Sequence, residues 1–134
     1  MNPSKWKSFA SADADREYLA LLSFLPLKRY RVIPRFIKYT SEIERQLSES
    51  SGLVGYSLQA QLLSRKFWTL SVWEDEKALM EFVVKSPHGP VMQSLLPHMA
   101  ATRFTQWKIK GAAIPPNWNE AKERMAAEAV QGET

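Results

Sequence analysis

Apolar side chains in this chain follow two rhythms, and the places where one gives way to the other divide it into elements. In YLALLSFLPL (18–27) apolar residues fall on both faces of an extended segment, which predicts a buried strand ended by Pro26. Val32, Ile33, Phe36, Ile37, Ile43 and Leu47 then recur at helical spacing. Proline is tolerated only in a first turn, so Pro34 places the start of this helix near residue 32. Gly52, after a serine-rich end, is its stop signal.

LVGYSLQAQLL (53–63) alternates with period two. Val54, Tyr56, Leu58, Ala60 and Leu62 share one face, and Gly55, Ser57, Gln59 and Gln61 the other. SRK (64–66) reads as a turn and FWTLSVW (67–73) as a second strand, rich in aromatic and β-branched residues. The pair is predicted to form an antiparallel hairpin.

Asp75 is placed to cap a helix whose apolar stripe is Ala78, Leu79, Phe82 and Val83. SPHGP (86–90) interrupts it, and Ser86–Pro87 restarts a segment carrying Val91, Met92, Leu95, Leu96 and Met99. ATRFTQWKIKG (101–111) predicts a last strand. Beyond a rigid Pro115–Pro116 spacer comes a short alanine-rich helix with a narrow stripe of Trp118, Met125 and Ala129.

The order β-α-β-β-α-β is that of an α+β, ferredoxin-like domain: four antiparallel strands with both helices on one face. The organisation expected is a tail at 1–16, anchored by Trp6 or Phe9, a domain at 17–111, and a spacer with C-terminal helix at 112–134. Phe67 and Trp73 point opposite to Trp68, Leu70 and Val72, so both sheet faces are apolar. A bare second face would be a larger apolar patch than soluble monomers tolerate. A two-fold homodimer packing two sheets face to face would cover it.

Composition narrows the chemistry. At 134 residues the chain suits one domain. It has no cysteine, which removes disulfides, thiolate metal sites and cysteine nucleophiles. No apolar run reaches the roughly 20 residues of a membrane span, and the first residues lack the apolar core of a signal peptide. A cytoplasmic protein is expected. The net charge of +4 does not by itself mark a nucleic-acid binder, and none is expected as a partner. GxSxG, P-loop and GxGxxG patterns are absent.

The segment FWTLSVWEDEKALMEFVVKSPHGPVM and the following RFTQWKIKG resemble the dimeric α+β barrel superfamily. More narrowly, they resemble its antibiotic-biosynthesis-monooxygenase-like and spheroidene-monooxygenase-like branches. The resemblance covers about residues 18–111 and rests on an aromatic strand ending in Trp, an acidic helix start, a Phe two turns in, and a His after the helix. It implies cofactor-free oxygenase activity, or haem binding as in other members. In haem-degrading members an Asn, a Trp and a His line the cleft. Trp73 and His88 would fill two of these roles, but the first strand here has no Asn and the Trp-to-His spacing is longer, so the resemblance does not extend to the haem-degrading triad as a set.

These readings give a candidate site. Trp73 and His88 are the catalytic candidates, and Arg35, Trp73, Phe82 and His88 the ligand-binding set, with His88 the axial ligand if haem is bound. Otherwise His88 fixes the helix break through a local hydrogen bond. His98, beside Pro97, reads as a surface group. Lys28, Arg29, Arg31, Arg35 and Lys38 cluster at the first helix start. They are either a solvated face paired with Glu42 or Glu17, or the rim of a pocket for an anionic group. Glu74, Asp75 and Glu76 read as helix capping and not as a metal site. The function expected is monooxygenase-like, on a small hydrophobic substrate in the cleft between helices and sheet. The alternative is a non-catalytic dimer that binds haem or a small ligand.

Overall fold

A computed structural model of the chain describes residues 3–85 and 88–132, with the backbone alone for residues 88, 89, 91 and 129–132. The elements are β1 (Lys7–Ser8), β2 (Glu17–Pro26), α1 (Ile33–Glu49), β3 (Leu53–Gln61), β4 (Lys66–Trp73), α2 (Glu76–Val84), α3 (His88–Leu95), β5 (Arg103–Lys110) and α4 (Trp118–Gly132). One antiparallel sheet runs β1-β3-β4-β2-β5. The ferredoxin-like order holds, with one strand more than expected. The added strand, β1, lies in the segment read as a tail and pairs Lys7 with Tyr56 and Ser8 with Gly55 at the sheet edge.

Local chemistry sets the boundaries. Pro34 sits in the first turn of α1, where its missing N–H breaks no helical bond. Gly52 takes φ +84 between α1 and β3, and a side chain there would also run into Ala78. The Asp75 carboxylate accepts from the Ala78 amide at 2.9 Å and so caps α2. Asn117 does the same for α4, accepting from the Glu120 amide at 3.0 Å. Ser86 and Pro87, expected to restart the second helical segment, lie outside the described residues.

The β2–β4 register pairs Leu21 with Ser71 and Leu25 with Phe67 on one face, and Ala20 with Val72 and Leu22 with Leu70 on the other. The first face packs under α1, α2 and α3, where Phe36, Leu47, Leu79, Phe82 and Leu95 are buried. A register shift between Leu53 and Gly55 corrects the alternation expected for β3. The bulge sends Val54 to the second face, with Tyr18, Ala20 and Val72, while Tyr56 stays on the helix face. Leu62, expected on that apolar face, lies beyond the strand and is exposed.

The second face is covered within the chain. Ala121 and Met125 of α4 pack on Leu22 and Leu70, and Trp6 and Trp118 close around them. Arg103 fastens the helix by donating to the Met125 carbonyl at 3.1 Å. Ala20, Leu22, Leu70 and Val72 are completely buried as a result. The expectation of a bare apolar face did not allow for this. The α4 stripe and the Trp6 indole share the task with Trp107 and Ile114, which pack on the same face. Ala129, the third member of the expected stripe, has its side chain outside the described residues. Among the described residues no helix is long and apolar enough to cross a membrane.

Candidate functional site

Between the helices and the first sheet face lies a cleft of about 1020 Å³. Its floor is the inward side of β2, β3 and β4, including Leu21, Leu58, Phe67 and Trp73, and its walls come from α1, α2 and α3. The cleft is lined mainly by aliphatic and aromatic side chains. Polar groups contributed by the sheet include Ser23, Thr69 and Ser71, with the larger Tyr56 and Gln106 also in the lining. Ile37, Met80, Val84, Leu96 and Phe104 line it while remaining exposed, so apolar surface continues out to the rim.

Trp73 and Phe82 come together. Their ring centroids are 5.1 Å apart, and both line the cleft. Trp73 is 1% exposed, and its indole N–H donates to Ser71 Oγ at 3.0 Å. That donor is therefore committed inside the wall, and the residue presents its ring to the cavity. Trp68 points to the opposite face, where Lys122 Nζ sits 4.2 Å from its ring centroid. Burial holds the Lys122 ammonium below the ordinary lysine pKa.

Arg35 is not brought into this set. It is exposed, outside the lining, with Nη1 at 3.5 Å from His98 Nε2. Arg31 and Lys38 are exposed as well, and no ion pair joins these three cations to a carboxylate among the described residues. His88 opens α3, and its side chain lies outside the described residues, so its relation to Trp73 does too. Among the described residues no group of three acidic or histidine side chains is placed to hold a metal ion. The described lining contains no imidazole, and Met80 and Met92 offer thioethers only. A nitrogen ligand for haem therefore rests on His88 alone.

A group absent from the sequence-derived set stands at the end of the cleft near β1. Glu44 and Tyr56 both line it. The Tyr56 hydroxyl donates to Glu44 Oε2 at 2.7 Å, and Lys7 Nζ donates to the same oxygen at 2.9 Å from outside the lining. Phe9 stacks on the Tyr56 ring at 5.7 Å and shields it. Burial, and next the bond to Glu44, push the Tyr56 hydroxyl above the ordinary tyrosine pKa. The Glu44 bond also raises the Lys7 ammonium. A signal was present in the sequence: Phe36, Thr40 and Glu44 are spaced by four, so Glu44 lies along the same side of α1 as a core aromatic. Its partner Lys7 is 37 residues away and is brought near only by the edge strand.

Solved structures share this architecture. A Fusobacterium nucleatum protein provisionally described as a monooxygenase superposes with a TM-score of 0.66 at 11% identity, over 78% of this chain and 48% of that one. This chain thus spans about half the length of that protein. SnoaB, a cofactor-independent oxygenase from Streptomyces nogalater, gives 0.55 at 11% identity over 75% and 98% of the two chains. An antibiotic biosynthesis monooxygenase gives 0.58 at 14% identity over 69% and 96%. Identities this low show the fold, which is the ferredoxin-like fold of the antibiotic-biosynthesis-monooxygenase type of α+β barrel. No curated protein matches the sequence. The model of a family described as a domain of unknown function, DUF3291, matches residues 36–134, and the chain belongs to that family.

Proposed function

We propose that this protein binds a small hydrophobic, ring-containing substrate in the cleft between its helices and sheet, and that it works there as a monooxygenase-like enzyme. The observation that carries this reading is the cleft: about 1020 Å³, lined by Trp73, Phe82, Phe36 and Phe67 among many aliphatic side chains, with polar groups in the minority. Such a volume suits a drug-sized ligand, and apolar walls with few polar groups are the ordinary character of small-molecule sites. The oxygenase part comes by analogy from the shared fold, which by itself hosts many functions. The cofactor-free form comes from the same analogy, since SnoaB shares the fold and is a cofactor-independent oxygenase.

The dimer follows a different route from simple apposition of sheets. With α4 seated on Leu22 and Leu70, a sheet-to-sheet homodimer requires that helix to leave or to exchange between protomers.

Nile red titration tests the cleft. Its fluorescence should rise with the wild type and fail to rise with Ser23→Phe, which fills the floor. Equal uptake by a folded S23F variant would place the dye elsewhere and sink the reading. Oxygen consumption against hydroquinone-type compounds tests turnover. A Soret band formed with haemin and lost in His88→Ala would restore the haem alternative.

A further inference from the structure

We propose that the cleft selects a neutral ligand bearing a phenolic hydroxyl, and that Glu44 is the acceptor that recognises it. This rests on the cleft reading above and adds the ligand's polar end. Glu44 is the one charged side chain among the described residues that line the cleft. Its Oε2 already holds two donors, the Tyr56 hydroxyl at 2.7 Å and Lys7 Nζ at 2.9 Å. A carboxylate has about four acceptor sites in all, so accepting capacity is left over. The Tyr56 oxygen has committed its proton to Glu44 and offers only lone pairs. The two lining groups at this end, Glu44 and Tyr56, therefore accept hydrogen bonds and do not give them to a ligand.

That arrangement sorts ligands by charge. A carboxylate or phosphate would bring more acceptors to the Glu44 and Tyr56 oxygens, with no cation in the described lining to receive it. The cations of α1 are of no help, since Arg35 lies outside the cleft. An ammonium would have to give up its hydration among aromatic walls, for a carboxylate that Lys7 already neutralises. A phenol loses least on entry and gains a charge-assisted bond. The β1 strand supports the selection, because Lys7 sits on it and holds the Glu44 carboxylate at the Tyr56 hydroxyl.

The test is calorimetric titration of the full chain with three ligands that share one ring system: 2-naphthol, 2-methoxynaphthalene and 2-naphthoate. The wild type should bind the naphthol about tenfold more tightly than the ether, the size of one good charge-assisted bond, and the naphthoate most weakly. Glu44→Gln should shrink the naphthol preference and improve naphthoate binding, because an amide N–H donor replaces a carboxylate acceptor. Tyr56→Phe should keep the preference for naphthol. Equal binding of naphthol and ether, or naphthoate bound best, overturns the proposal while the cleft reading survives. So does an unchanged ranking in E44Q. Failure of all three to bind overturns both. The wild-type ranking decides the matter even if E44Q does not fold.

Discussion

Replacing Gly55 with alanine should change sign according to whether Trp6 is present. Gly55 lies in β3 on the second sheet face, with a backbone that any residue adopts. An added Cβ would stand 2.5 Å from Trp6 Nε1 and 2.6 Å from Cε2 and Cζ2. Carbon contacts are comfortable at about 3.5–4.0 Å, so the indole must retreat by roughly 1 Å. Overpacking of this kind costs about 1–3 kcal/mol. Alanine recovers about 0.5–1 kcal/mol over glycine in a strand, through the smaller entropy of its unfolded chain. The net loss in the wild type should be about 1–2 kcal/mol. In a Trp6→Ala background the clash is gone, and Gly55→Ala should stabilise by about 0.5 kcal/mol. The coupling, near 2 kcal/mol, is within the range for residues in contact. Urea unfolding of the four variants, followed by far-ultraviolet circular dichroism, measures it. The same cost in both backgrounds would mean that Trp6 does not rest on Gly55, and the account of how the second face is covered would fail.

Three further outcomes are expected. Ala121→Asp places a charge against Leu22 and Leu70 and should prise α4 away, seen in light scattering as greater self-association than the wild type. An Asp75→Ala variant should lose about 1 kcal/mol in urea melts, since the Ala78 amide loses its cap. Tyr56 should titrate above the ordinary tyrosine value in ultraviolet absorbance. Its folded pKa is raised, so the unfolded chain loses this proton first, and the contribution to stability present below about pH 10 should decline as pH climbs past that value. Glu44→Gln should bring that titration back only part of the way, because burial is the larger cause.

Much of the fold was written in the periodicity of the chain. The alternation of β4 assigned Trp73 and Trp68 to opposite faces correctly, because a central strand must satisfy both layers. Asp75 and Pro34 act within one turn of their own positions, so their roles were readable locally. The bulge at Leu53–Gly55 was not: an extra residue in one strand is fixed by its pairing with the neighbour. Nor was the docking of α4, whose few apolar residues say that it packs but not on what. The site divides in the same way. Trp73 and Phe82 meet because strand and helix adjoin in sequence, whereas Lys7, Glu44 and Tyr56 converge from three separate elements. Arg35 has the chemistry of an anion clamp, but the turn of α1 sends it outward.

The covering of Leu22 and Leu70 also bears on the order of events during synthesis. The sheet is complete in sequence once Lys110 has been made, yet its second face still waits for Ala121 and Met125. On the ribosome, those residues emerge only after the whole sheet has been made. Until then the nascent domain displays a ready-made sticky surface, inviting chaperones or a neighbouring nascent chain. A ribosome stalled shortly before residue 121 would leave a product with a finished sheet and an unfinished interior, and such fragments should be recognised as damaged far more readily than their length suggests.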